Sequence, residues 1–194
     1  MPLDTLVVDA EKIPLSDDDV VGIAFGMTKI VRYSDLHKHE SIFELLRPYS
    51  NFILFYEIES LQEGHWVCVL YHEDINTIEF FDSYGMDDVQ IMKKADTSND
   101  RSANYFNGEP YLTALFRKAR SERQTKIIIN TYKFQSLSKN VQTCGRYAAL
   151  RSRFREAKYQ QFADLLMKNK YSSDYMVSAL TVMFSEAAIS YILN

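Results

Sequence analysis

The chain has 194 residues, of which 46% are hydrophobic and 25% charged, with a formal net charge of −4. Such a length can bury a large core without disulfides, so we expect a single domain over 1–194, and the acidic balance argues against a general nucleic-acid binder. Two cysteines, no N-terminal secretion signal and no apolar run of transmembrane length predict a protein that is neither secreted nor embedded in a membrane.

The first part of the chain carries signals for both helices and strands. Ser16 precedes three aspartates, which predicts an N-cap and a helix with an acidic first turn, ending near residue 25. Ser41 caps a second predicted helix, which Pro48 ends. Apolar runs at 28–33 and 51–58 predict strands.

Two further strands place a histidine and a carboxylate at their ends. His65 begins the apolar run 65–71, and Asp82 follows the run 77–81. The polar stretch 72–76 is short enough to be a hairpin loop. Because an antiparallel hairpin brings the start of one strand beside the end of the other, we expect His65 and Asp82 to lie close together.

The second half of the chain is predicted to be mainly helical. We expect an overall α+β fold, with a central mixed or antiparallel sheet flanked by helices. The expected elements are a short helix at 87–94, a loop at 96–108, a helix at 110–122, a strand at 126–134, and helices beginning at Cys144, Tyr159 and Ser173.

Cys144 lies where a polar loop meets an amphipathic helix. The first turn of a helix favours negative charge, so this position favours a nucleophilic thiolate. A histidine oriented by a carboxylate is the general base that a cysteine nucleophile needs. Each of Cys144, His65 and Asp82 alone would be read as a structural residue, but all three occur in order at the ends of predicted elements.

Strand alternation separates two neighbours from His65. Trp66 and Cys68 share parity on the predicted strand, so both should point to the opposite face. We interpret Cys68 as a buried structural thiol and Trp66 as core packing beneath the site, with substrate stacking as the alternative. His37 and His39 lack further metal-ligand neighbours, and we interpret them as part of a surface turn rather than a metal site.

Three motifs carry a family resemblance. Gly-His-Trp at 64–66, Phe-Asp-Ser-Tyr-Gly at 81–85 and Thr-Cys-Gly at 143–145 resemble the adenovirus-type (adenain-like) cysteine proteases. The likeness is to versions carried by virophages, polinton elements and large DNA viruses, and it covers residues 51–155. These enzymes share a papain-like clan with the proteases of ubiquitin-like proteins, so the resemblance implies that fold.

The resemblance also implies a glutamine that helps to hold the oxyanion. Gln135 follows the predicted strand 126–134, much as the family places its glutamine at a strand end, and it is the preferred candidate. Its distance from Cys144 implies a longer loop than in relatives. Gln142, just before Cys144, is the alternative.

The function implied is that of a cysteine endopeptidase that cleaves next to small residues, glycine above all. Its expected substrates are capsid or scaffold precursors, in the virion and in the cytoplasm or virus factory of an infected cell. The alternative is a protease that processes or removes a ubiquitin-like modifier. Such enzymes carry Asp before the Cys-Gly pair, where this chain has Thr143.

No metal or organic cofactor is expected, although relatives can use a peptide or DNA as activator. The basic runs 117–120 and 151–155 predict at most a weak DNA contact, because such runs are usually solvated helix faces. We expect a monomer.

Overall fold

The computed structural model describes residues 3–57, 64–95 and 105–184. The helices are α1 Leu3–Ala10, α2 Asp17–Ile23, α3 Ile42–Leu46, α4 Asp88–Ala95, α5 Tyr111–Arg123, α6 Cys144–Arg153, α7 Tyr159–Met167 and α8 Ser173–Phe184. The strands are β1 Ile30–Arg32, β2 Asn51–Tyr56, β3 His65–His72, β4 Thr77–Phe81, β5 Tyr105–Phe106, β6 Glu109–Pro110 and β7 Lys126–Ile129.

A mixed sheet runs through the protein in the strand order β1-β2-β3-β4-β7. The three central strands are antiparallel to one another, whereas β1 lies parallel to β2 and β7 parallel to β4. Helices cover both faces of this sheet, which confirms the expected α+β class. Cys68 pairs with Phe81, so the start of β3 and the end of β4 lie at the same end of the sheet, as the hairpin prediction requires.

Two hydrophobic clusters occupy the two faces of the sheet. Alternation along β3 divides its side chains between them, because successive residues of a strand point to opposite faces. Val67 and Val69 face the cluster shared with α3, α4 and α5. Trp66, Cys68 and Leu70 face the cluster shared with α2, α6, α7 and α8. Helix α6, which begins at Cys144, therefore packs on the face of β3 that carries Trp66 and Cys68.

Most predicted elements are confirmed with shifted ends. The Ser16 cap is a full capping box, in which Ser16 Oγ accepts from the Asp19 N–H at 3.2 Å and Asp19 accepts from the Ser16 N–H at 3.0 Å. The end of the predicted strand 51–58, most of the predicted loop 96–108 and the chain after Phe184 lie outside the described residues. Helix α1 and the two-residue ladder of β5 and β6 were not expected from the sequence.

The strand predicted over 126–134 ends early, at Ile129. The chain leaves the sheet at Asn130, whose side chain pairs with the backbone of Asp82 instead of continuing the ladder. Phe134 and Gln135 then donate their N–H groups to the Ser83 carbonyl. Hydrogen bonds to the turn after β4 therefore take the place of the strand that the composition of 130–134 predicts. Within the described residues, no helix is long and apolar enough to cross a bilayer.

Candidate active site

His65 and Asp82 form a buried pair at one end of the sheet. His65 begins β3 and Asp82 directly follows β4, and His65 Nε2 lies 2.5 Å from Asp82 Oδ1. Their side chains are only 1% and 0% exposed. Because Nε2 is committed to the carboxylate, Nδ1 is the imidazole nitrogen left for another partner.

The Asp82 carboxylate is itself held in place. The Met86 N–H donates to Asp82 Oδ2 at 2.7 Å. The Asn130 side chain hydrogen-bonds both backbone groups of Asp82. It accepts from the Asp82 N–H at 2.7 Å and donates to the Asp82 carbonyl at 2.8 Å. Sequence reasoning missed Asn130, since nothing local marks an asparagine after a strand as the partner of a distant aspartate.

The Ser-Tyr-Gly turn after Asp82 closes over the histidine. The Tyr84 ring stacks on the His65 ring, with centroids 5.3 Å apart and planes inclined by 26°. Gly85 has a φ of +69°, and a Cβ there would lie 2.7 Å from the Thr131 carbonyl oxygen. The turn therefore requires glycine, both for its left-handed backbone and for its close approach to the chain that follows β7.

Cys144 is the first residue of α6 and is partly exposed. Its side chain is near enough to the His65 imidazole to contribute to the raised pKa of that histidine. The structure thus brings together the three residues predicted as nucleophile, base and orienting acid, with the thiol at a helix N-terminus where unpaired N–H groups favour negative charge.

The electrostatics of the site favour a charged imidazole. Burial alone would lower the pKa of His65, but the charge and hydrogen bond of Asp82, together with the contact to Cys144, raise that pKa well above its ordinary value. The imidazolium form of His65 can therefore persist beside Cys144 at neutral pH, and an imidazolium next to a cysteine favours the nucleophilic thiolate form.

The second cysteine has a different environment. Cys68 is fully buried on the face of β3 opposite His65, as strand parity predicts. Burial raises the pKa of the Cys68 thiol, so it stays protonated. Trp66 lies on the same face as Cys68 and packs against Phe55 with ring centroids 4.4 Å apart.

A pocket of about 260 Å³ opens beside the Cys144 thiol. One wall comes from the strands and α6, and the other from the segment that leads into α2. Trp66 packs in the core, as interpreted from the sequence, and also lines this pocket. The lining residues are Pro14, Leu15, Ser16, Asp17, Phe55, Gly64, Trp66, Gln142, Cys144 and Gly145.

The two glutamine candidates occupy different places. Gln135 is buried, with Oε1 accepting from the Ser83 hydroxyl at 2.7 Å and Nε2 donating to the Val141 carbonyl at 3.2 Å. Gln142 lines the pocket with Cys144, and its backbone N–H donates to the Glu11 carbonyl at 2.7 Å. Of the two residues, Gln142 borders the space beside the thiol.

The basic run 151–155 differs from the solvated helix face expected of it. Arg151 is wholly buried against Glu79, and the Arg153 guanidinium lies over the Phe25 and Phe184 rings. Arg155 forms an ion pair with Glu156, and Arg117 in the other basic run forms one with Glu109. Across 3–57, 64–95 and 105–184, no group of three or more His, Cys, Asp or Glu side chains could hold a metal ion.

Comparison with known proteins gives one clear relative. The chain is 31% identical to "Uncharacterized protein V9" of Sputnik virophage over 176 residues, covering 89% of this chain and 96% of V9. The chain belongs to the V9 family. No protein-family model matches the chain.

Solved structures similar to this V9-family chain include two of the SUMO protease Ulp1. One, with the catalytic cysteine oxidised to a sulfinic acid, has a TM-score of 0.46 at 13% identity, covering 93% of this chain and 81% of that one. The other, the C-terminal Ulp1 protease domain in complex with Smt3, the yeast ortholog of SUMO, has a TM-score of 0.44 at 12% identity, covering 91% and 78%.

Proposed function

We propose that this protein is a cysteine endopeptidase in which Cys144 is the nucleophile, His65 the general base and Asp82 the orienting acid. One observation carries the proposal: a buried His65–Asp82 pair lies beside a cysteine that begins a helix and borders an open pocket, and that cysteine contributes to the raised pKa of His65. A thiolate, a base and an orienting acid in this arrangement are what acyl transfer requires.

The chemistry follows from the contacts. His65 holds the thiol proton, and the Cys144 thiolate attacks a peptide carbonyl, forming a C–S bond while the carbonyl electrons move to oxygen. The tetrahedral intermediate collapses, the C–N bond breaks, and His65 gives its proton to the leaving amine. Water, deprotonated by His65, then attacks the thioester, releasing the acid product and returning the thiolate.

The oxyanion needs donors close to the attacked carbonyl. The backbone N–H of Cys144 is available at the start of α6, and a glutamine amide supplies a second donor in this proposal. The lining position of Gln142 supports it for that role, while Gln135 would first have to release the Val141 carbonyl. Such a donor contributes roughly 3 kcal/mol to the transition state.

The walls of the pocket support a preference for a small residue at the cut. Adding a Cβ to Gly145 would bring it within 3.2 Å of Trp66 Cδ1 and 3.3 Å of Leu15 Cβ. This close packing leaves limited space around the thiol, so an extended peptide with glycine at the scissile position fits better than one with a bulky side chain.

We further propose that the substrates are capsid or scaffold precursors of a virus, and that the protein acts in the virion and in the infected cell. Membership of a family that includes a virophage protein supports a viral context. The reaction as derived requires no metal or organic cofactor. The pairing of Arg117 and the burial of Arg151 leave little support for an activating DNA contact in the basic runs.

Purified protein incubated with viral capsid precursors, with ubiquitin-like precursors and with a peptide library tests this proposal. We expect cleavage of the capsid precursors after Gly or Ala, abolished by Cys144→Ala and retained by the matched control Cys68→Ala. Hydrolysis that persists in Cys144→Ala would rule out a cysteine peptidase. Cleavage confined to ubiquitin-like precursors would instead identify a modifier protease, and efficient cleavage after Arg, Lys or large aromatics would rule out the small-residue preference.

A further inference from the structure

Asp174, in the first turn of α8, is a buried carboxylate that contacts the chain around the nucleophile. Its Oδ1 accepts from the Thr143 hydroxyl at 2.6 Å and from the Tyr147 hydroxyl at 3.3 Å. Its Oδ2 accepts from the Ser136 N–H at 2.9 Å. One side chain thus binds the loop before Cys144, the residue next to Cys144 and the first turn of α6.

The bond to Thr143 is unusual for a residue in that position. Thr143 is the N-cap of α6, where a threonine hydroxyl normally accepts a hydrogen bond from an N–H in the first turn of the helix. Here the hydroxyl makes no capping bond and donates to Asp174 instead. The first N–H groups of α6 are therefore left free of the cap that their own sequence could supply.

Free N–H groups at this point have a use in the proposed reaction. The Cys144 N–H lies next to the attacking sulfur, where charge develops on the carbonyl oxygen in the transition state. If the Thr143 hydroxyl turned toward the helix to accept from the Gly145 or Arg146 N–H, its oxygen would approach the developing oxyanion, and the 143–144 peptide would lose the bond that fixes it. Preorganised donors gain their effect from not having to move during the reaction.

We propose that Asp174 is a positioning residue, which holds the Thr143 hydroxyl away from the start of α6 and so keeps the Cys144 N–H directed at the oxyanion. This role rests on the proposed peptidase function. Asp174 acts through Thr143, since it is the Thr143–Cys144 peptide, and not the carboxylate, that meets the substrate.

Two reactions of Cys144 separate this role from a general loss of structure. Alkylation by iodoacetamide requires the thiolate but develops no oxyanion, whereas peptide hydrolysis requires both. In Asp174→Ala and in Thr143→Val we expect kcat for a peptide to fall about tenfold, less than the loss of a whole oxyanion donor, with KM unchanged. Alkylation should stay within about threefold of wild type, because the His65 pair is intact.

Conservative and combined variants sharpen the result. Thr143→Ser keeps the hydroxyl and should retain activity. The double variant Thr143→Val/Asp174→Ala should be no slower than either single variant, because both remove the same interaction.

Asp88→Ala is the matched control. Asp88 is also buried and also accepts a threonine hydroxyl at 2.6 Å, from Thr113, but it lies in α4 on the other face of the sheet. It should lose folding stability comparably while keeping kcat at temperatures where the protein is folded.

Each outcome is decisive. A selective loss of hydrolysis in the Asp174 and Thr143 variants supports the role. Equal losses of alkylation and hydrolysis, or the same kcat loss in Asp88→Ala, would show that Asp174 is merely structural. Full hydrolysis by Asp174→Ala would overturn this role alone, whereas a wild-type protein that is alkylated at Cys144 but cleaves no peptide would overturn the proposed function, and this role with it.

Discussion

Arg151 and Glu79 form a two-point ion pair inside the protein, with Arg151 Nε 2.7 Å from Glu79 Oε1 and Nη2 2.9 Å from Oε2. Arg151 belongs to the helix that begins at Cys144, and Glu79 to the strand that leads into Asp82. Two further guanidinium N–H groups, on Nη1 and Nη2, donate to the carbonyls of Phe154 and Ala157. The pair therefore fixes the element that carries the thiol against the element that carries the acid.

Arg151→Met should strongly destabilise the fold, because it leaves the buried Glu79 carboxylate with His72 in place of its two-point partner. We expect a loss of about 3–5 kcal/mol in the free energy of unfolding, measured by urea denaturation. The double variant Arg151→Met/Glu79→Leu should recover most of that loss, since an apolar pair needs no desolvated charges. Arg117→Met, at an exposed pair with Glu109, is the control and should change little. A double variant as unstable as the single one would contradict this account.

The same pair makes stability depend on acidity. Burial raises the pKa of Glu79, but the bonds from Arg151 and His72 outweigh it and lower the pKa below its ordinary value. A carboxylate whose pKa is lowered by folding stabilises the protein at pH values above its unfolded-state pKa. That stability is lost as the pH falls through its folded-state pKa. Wild type should therefore lose stability in acid more steeply than Arg151→Met/Glu79→Leu, as measured by urea midpoints from pH 7 to pH 3.

Cys144 and Cys68 should differ sharply toward an electrophile. Iodoacetamide should label Cys144 in the folded protein and leave Cys68 unlabelled until urea unfolds the chain, because the pKa of Cys68 is raised by burial and its sulfur is inaccessible. Peptide mass mapping identifies the labelled residue. Labelling of Cys68 in native buffer would show that the register of β3 is wrong.

The raised pKa of His65, about 10, sets the alkaline limit of activity. We expect kcat/KM to fall only well above neutral pH, as the imidazolium is lost, and His65→Ala to remove activity almost as fully as Cys144→Ala. The stability conferred by the charged His65–Asp82 pair should be complete at pH values below the ordinary pKa of histidine. It should disappear as the pH rises through the folded-state pKa of His65. In Asp82→Asn the alkaline limb should move to lower pH. A limb near pH 6.5 in wild type would contradict the ion-paired state.

Gln142→Ala should mainly lower activity, whereas Gln135→Ala should mainly lower stability. Gln142 lines the pocket, so its loss should lower kcat by roughly a hundred- to a thousandfold with little change in the unfolding free energy. Gln135 joins Ser83 to the Val141 carbonyl, so its loss should lower stability first. Parallel kinetics and urea unfolding of the two variants decide between them. The reverse pattern would assign the oxyanion role to Gln135.

How far the site could be predicted from sequence depends on the range of the interactions. His65, Asp82 and Cys144 stand at the ends of elements whose periodicity is local, so a hairpin and a helix start were enough to expect them together. Asn130 and Asp174 could not be found in that way, because they reach their partners across 48 and 31 residues. Their side chains matter only after the sheet and α8 have been assembled.

Local patterns also misled at two points. The run 126–134 has strand composition throughout, but Asn130 turns the chain out of the sheet to hold Asp82. Arg151 looks like one cation in an exposed basic run, and its burial depends on Glu79, 72 residues away. In both cases a polar side chain with a distant partner outweighed the composition of its neighbourhood.

Leu15 and its neighbours form one side of the pocket although they lie far from the triad in sequence. Residues 51–155 alone contain His65, Asp82 and Cys144 but lack that wall, along with Asp174. They also lack α2, α7 and α8, which share the hydrophobic cluster on the Trp66 face of β3. In the proposed peptidase, access to Cys144 therefore depends on a segment outside the stretch that carries the triad, and moving the three residues to another scaffold would not transfer that wall.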